Sequence, residues 1–122
     1  MTKDPRVYLA QILERIERIE AYTADGQAEF LDDPMAQDAV IRNFEVIGEA
    51  AKRIPDSCRA AHPDIPWRAL AAFRDVLIHQ YEGVNLSEIW AAVEGDLPSI
   101  KAAIRAILPP LDQLERELAE DE

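Results

Sequence analysis

Apolar residues in this chain return every three or four positions almost from end to end, and nowhere do they alternate in the two-residue rhythm of a half-buried strand. That periodicity restricts the fold to packed helices. Leu9, Ile12, Ile16 and Ile19 form one stripe, with Glu14, Glu17, Arg18 and Glu20 between them, and this first helix is expected to run to near Gly26. Asp33 followed by Pro34 predicts the start of a second helix. The carboxylate can cap free N–H groups, and proline lacks the N–H that would go unsatisfied there. This helix presents Val40, Phe44, Ile47 and Ala51 and stops before Pro55. A loop holding Pro55, Pro63 and Pro66 comes next. A third helix starts at Pro66 and buries Trp67, Leu70, Phe73 and Leu77.

Asn85 and Glu88 stand at capping-box spacing, with Val84 and Ile89 placed as a hydrophobic staple. The stripe Leu86, Trp90, Val93, Leu97, Ile100, Ile104, Ile107 stays in phase across Pro98, which predicts one kinked helix. Pro109 and Pro110 end it. The expected architecture is all-α, an up-and-down antiparallel bundle over residues 1–110, followed at 111–122 by an acidic tail or short helix.

With 122 residues, the chain holds one domain of ordinary size. No apolar run approaches the length of a membrane span, and the opening MTKDPRVYLA lacks the pattern of a secretory leader. The single cysteine, Cys58, rules out an internal disulfide and fits a reducing cytoplasm; it reads as a packed small residue. The net charge of −11 argues against a protein that coats nucleic acid. Yet residues 36–81 carry six basic and six acidic groups, so a local phosphate grip is permitted inside a neutral stretch.

The chemistry concentrates in Phe73-Arg74-Asp75-Val76-Leu77-Ile78-His79-Gln80-Tyr81, an R-x-x-x-x-H-x-Y pattern at the end of the third helix. At about 100° per residue, Arg74 and Tyr81 share a face while His79 points about 140° away from Arg74. Either the helix unwinds near His79, or the groups converge only with help from a second copy. Histidine can serve as proton donor or acceptor near neutrality, the arginine fork matches phosphate oxygens, and tyrosine can bond a phosphate or stack on a base. Together they suit cleavage of RNA by its own 2′-hydroxyl, a scheme that requires no metal and no cofactor. One motif histidine per chain and two proton transfers per cleavage point to a homodimer with a shared cleft.

Each residue also has a plainer reading. Arg74 can simply pair with Asp75 or Asp38, His79 can sit at a helix end because the dipole favours it, and Tyr81 can be core or rim. Glu45 and Glu49 are like charges one turn apart, offset by Arg42, Lys52 and Arg53 on a solvated face. Trp67 and Trp90 read as core or dimer interface. His62, in its loop, has no metal-ligating partner at suitable spacing.

The R-x-x-x-x-H-x-Y pattern resembles the signature of HEPN ribonucleases, and more narrowly the HepT toxin family. The likeness extends to Arg42-Asn43-Phe44-Glu45-Val46-Ile47-Gly48-Glu49-Ala50-Ala51-Lys52-Arg53, to Pro66-Trp67-Arg68, and to Gly83-Val84-Asn85 with Glu88-Ile89-Trp90, covering roughly residues 5–108. The resemblance implies a dimeric, metal-independent endoribonuclease of the bacterial or archaeal cytoplasm, acting on an RNA such as tRNA or mRNA. Arg74, His79 and Tyr81 would be its catalytic residues, and Asp75, Asn43 and Glu49 its supporting ones. The implied partner is a minimal nucleotidyltransferase antitoxin of the MntA kind, which can transfer AMP to the motif tyrosine, here Tyr81. Asp75 stands where the family often has Asn; it could orient Arg74 or partly neutralise it. Two other readings remain: a catalytically weak module that docks the nucleotidyltransferase, and a plain helical oligomerisation domain.

Overall fold

The computed structural model describes residues 4–80 and 83–120, and it is helical in nearly all of them. In chain order the helices are α1 (Pro5–Tyr22), α2 (Gln27–Leu31), α3 (Pro34–Arg53), α4 (Asp56–Ala61), α5 (Trp67–His79), α6 (Leu86–Ala91), α7 (Leu97–Ile107) and α8 (Leu111–Glu120). A single wide π turn, Ala92–Asp96, joins α6 to α7. No strand occurs among the described residues. The chain is therefore all-α, as the periodicity requires.

α3 lies at the centre, packed on α1 along one side and on α5 along the other, and α7 covers α1. Lys101 meets Glu20 while Arg105 meets Glu17, so α1 and α7 run in opposite directions. The expected stripes are the core: Leu9, Ile12, Ile16 and Ile19 of α1 and Val40, Phe44, Ile47 and Ala51 of α3 are all buried. Leu70 and Leu77 of α5 and Ile89, Ile100 and Ile104 of the later helices complete it. Phe73 is half-buried and meets Phe44 edge-on, with ring centroids 5.1 Å apart.

The caps follow the sequence. Asp33 Oδ1 accepts from the Ala36 N–H at 3.2 Å with Pro34 at the first helical position. Asn85 Oδ1 accepts from the Ser87 and Glu88 N–H groups at 3.0 and 3.2 Å. Val84 and Ile89 both pack on the core.

Two local expectations are corrected and a third is borne out in a particular form. α1 stops at Tyr22, four residues before Gly26, because the Thr23 hydroxyl donates to the Ile19 carbonyl at 2.8 Å and closes the last turn. Gly26, at φ 94°, then opens the unexpected α2. The proline loop contains α4, whose Arg59 Nη2 donates to the Ala51 and Lys52 carbonyls at 3.1 Å each. A cation on the orphan carbonyls at the end of α3 satisfies them and complements the helix dipole. The helix expected to continue across Pro98 runs unbroken from Leu86 to Ile107, and its irregularity is the π turn. The Leu97 N–H reaches back five residues to the Ala92 carbonyl. The widened turn accommodates the missing proline N–H and the bulk of its ring, so the stripe stays in phase.

Residues 111–120 form α8, with Leu114 buried and Glu117 paired to Arg6 at the start of α1. None of the helices among the described residues is long and apolar enough to cross a membrane.

Candidate active site

α5 carries Arg74 and His79, and its placement depends on a missing side chain. A Cβ added to Gly48 of α3 would lie 2.2 Å from the Arg74 Cβ and 2.8 Å from the Leu70 carbonyl oxygen. Glycine thus lets the two backbones approach until Arg74 lies across the surface of α3. There the Arg74 Nε stands 3.3 Å from Glu49 Oε2, and its Nη1 donates to Asp75 Oδ1 at 2.9 Å. Glu49 also pairs with Arg53 at 3.2 Å, and Lys52 Nζ donates to the same Asp75 Oδ1 at 2.7 Å. The result is a chain of alternating charge, Arg53–Glu49–Arg74–Asp75–Lys52, whose sum is +1 on a molecule of −11.

The hydrogen bonds from Lys52 and then Arg74 hold the Asp75 carboxyl below its ordinary range, against a smaller opposing effect of burial. Asp75 is therefore a carboxylate wherever the protein works near neutrality. Arg74 is half-buried and lines a groove of about 470 Å³ together with Arg42, Glu45, Glu49, Arg53 and Ile78.

His79 is the last residue of α5 and is exposed. The helix runs regularly to His79 and ends there, with Gln80 as its C-cap, which leaves open both arrangements that the sequence offered. The imidazole Nδ1 sits 2.7 Å from the Asp75 carbonyl oxygen, one turn back. A carbonyl can only accept, so Nδ1 carries the proton and the neutral ring keeps its lone pair on Nε2. This bond fixes the tautomer and aims the reactive nitrogen away from the helix. Asp75 thus touches both halves of the motif, Arg74 through its side chain and His79 through its backbone.

Tyr81 lies outside the described residues. Asn43 is buried toward α1, where its amide donates to the Ala39 carbonyl at 2.7 Å and accepts from Arg15 Nη1 at 3.3 Å; its visible work is structural. Glu49 and Asp75 are in direct contact with Arg74, whereas the sequence placed Glu49 by default on a solvated face. Trp67 is core, its indole N–H donating to the His62 carbonyl at 3.0 Å. Half-buried Trp90 lies against Phe30 and donates to Glu94. Cys58 is partly buried against the core, which pushes its thiol pKa up and suits a packing role. Gly48 and Lys52 are the contributors that sequence reasoning passed over. A glycine one turn before a charged pair on a central helix was the available signal.

A family profile described as "Ribonuclease HepT-like" matches residues 12–107. A Methanocaldococcus jannaschii protein named "Gamma-glutamylcyclotransferase and putative RNase MJ0434" is 45% identical over 114 residues, 93% of this chain; the chain spans only 51% of that relative. A Thermococcus cleftensis protein named "Probable ribonuclease HepT" is 47% identical over 102 residues, covering 83% of this chain and 93% of the relative. One from Caldanaerobacter subterraneus, "Putative RNase TTE0752", is 38% identical over 107 residues, covering 87% and 96%. No solved structure matches the chain at significance.

Proposed function

From the premise that the chain belongs to the HepT-like ribonuclease family, we propose that it is an endoribonuclease that cleaves RNA through the substrate's own 2′-hydroxyl, with Arg74 and His79 as the groups that act. The observation that carries this reading is one helix, α5, that sets a guanidinium into a groove and ends on an exposed imidazole whose Nε2 is left free; His79 lies outside that groove, so the two groups do not meet within one chain. Arg74 Nη and Nε hydrogens suit the non-bridging oxygens of a phosphodiester, where negative charge grows in the phosphorane. His79 Nε2 takes the 2′-OH proton as the 2′-oxygen bonds to phosphorus. The P–O5′ bond breaks, and a protonated imidazole returns a proton to the leaving 5′-oxygen.

Since one neutral imidazole does not do both at once, a second copy of His79 across a homodimer groove is the natural acid. Tyr81 would stack on the adjacent base or bond the phosphate. Its family resemblance further suggests a toxin held in check by a nucleotidyltransferase antitoxin. AMP placed on Tyr81 would bring bulk and negative charge to the phosphate site and repel RNA.

The purified protein should cut single-stranded RNA in the presence of EDTA, and His79→Ala should reduce the rate by about 10²–10⁴-fold, the usual weight of a general acid or base. A rate that is unchanged by His79→Ala would remove the proposal. One observation favours a second reading. Arg74 is already engaged by two carboxylates, as in a weak catalyst that serves mainly to dock its nucleotidyltransferase. Tight binding of that partner by a wild-type protein that never cuts RNA would decide for it.

A further inference from the structure

Lys52 comes from α3 and Arg74 from α5, yet both donate to one oxygen, Asp75 Oδ1, at 2.7 and 2.9 Å. Two cations from different helices closing on a single anionic oxygen make an anion subsite. In the free protein the chain's own carboxylate fills it. The fit to phosphate is chemical: a non-bridging phosphodiester oxygen carries similar charge and accepts from the same donors at the same distances. The subsite is also accessible, because the side chains of Lys52, Arg74 and Asp75 are 38%, 27% and 47% exposed. Asp75 can swing to water by side-chain rotation alone, since nothing but these two cations holds its carboxylate among the described residues. The platform beneath Lys52 is firm, because Arg59 grips the Ala51 and Lys52 carbonyls at the end of α3.

We propose that Lys52 and Arg74 together form a subsite for one RNA backbone phosphate, and that Asp75 is a built-in competitor which the incoming phosphate displaces. Lys52 is then a second phosphate-contacting residue, four and three positions from Gly48 and Glu49, the segment that brings Arg74 into place. The inference rests on the RNA-cleaving reading above. Between the two cations one monoanion replaces another, and Asp75, turned to water, gives up two hydrogen bonds that the phosphate takes over. The His79 contact uses the Asp75 backbone carbonyl, so removing the carboxylate leaves the imidazole in place.

The test measures KM and kcat for single-stranded RNA. It also measures the Kd of the same oligomer made non-cleavable by 2′-O-methylation, across a range of salt. Lys52→Gln is expected to raise KM and Kd several-fold with kcat little changed, and to reduce the salt slope by about 0.7, the value of one phosphate contact on a single strand. Lys52→Arg should restore binding. Asp75→Asn should tighten it, and Lys52→Gln should still weaken binding in the Asp75→Asn background.

If the effect of Lys52→Gln vanishes in that background, the lysine only neutralises Asp75 and the subsite is wrong. Weaker binding by Asp75→Asn would likewise overturn the competitor role. Wild-type cleavage that needs His79 but ignores Lys52 in KM, Kd and salt slope sinks this inference alone. Cleavage indifferent to His79→Ala sinks the parent reading, while the binding series still decides on Lys52.

Discussion

Arg74 is legible in the sequence as a phosphate-binding candidate, but its neighbours are not. Glu49, which pairs with it, and Lys52, which shares Asp75 with it, lie more than twenty positions away, and only the closeness of α3 and α5 at Gly48 brings them within reach. Periodicity says which face of a helix is buried; it does not say which polar residue at the rim of that face meets which. The same limit explains Glu49, read as a solvated charge, and Asn43, grouped with the motif by resemblance yet bonded toward α1. Two predictions belong to this scale. Gly48→Ala puts a methyl 2.2 Å from the Arg74 Cβ and 2.8 Å from a backbone oxygen, so the helices must part. Thermal denaturation should show a loss of about 1–3 kcal/mol, the usual cost of overpacking, with reduced cleavage as Arg74 shifts. Arg74→Lys keeps the charge but loses the planar fork, and should weaken RNA cleavage at unchanged stability in the same melt.

Among the elements, those with strong signals were readable and those without were not. α1, α3 and α5 announce themselves by apolar stripes, and the starts at Asp33 and Asn85 by residues whose side-chain oxygens cap free N–H groups. α2 and α4 have five and six residues, too short to display a period, and are held by tertiary contacts: Gln37 bonding the Phe30 and Leu31 carbonyls, and Arg59 bonding the end of α3. Pro98 announced an irregularity but not its form, since a kink and a π turn both accommodate a missing N–H. Asn85→Ala removes acceptors from two N–H groups just beyond the motif. It should cost about 1 kcal/mol in denaturant melts, as a lost N-cap does, with the hydrogen-exchange protection of α6 falling first. A change below about 0.3 kcal/mol would mean that the Val84–Ile89 staple alone sets the helix start.

Over the whole molecule, the fold class was fully legible, because a single period runs through every long segment. The way the chain ends are joined was not. Arg6 binds Asp4 beside it and Glu117 on α8, tying the last helix to the first. The Asp4 carboxyl is lowered chiefly by the Arg6 side chain; that of Glu117 is lowered by Gln113 and then Arg6. Carboxyls depressed in the folded state stabilise it above their unfolded range, and that contribution disappears as pH falls through the lowered values. Acidification below the ordinary carboxylate range should therefore loosen α8 before α3, seen as earlier amide exchange over 111–120. Simultaneous loss across both helices would contradict that order.

The most direct test of the central claim is the chemistry of the cut ends. An RNA oligomer digested by the purified protein in EDTA and weighed by mass spectrometry should yield 2′,3′-cyclic phosphate and 5′-hydroxyl termini, with neither formed by His79→Ala. Fragments ending in 3′-hydroxyl and 5′-phosphate, or cyclic ends that persist without the imidazole, would contradict the account.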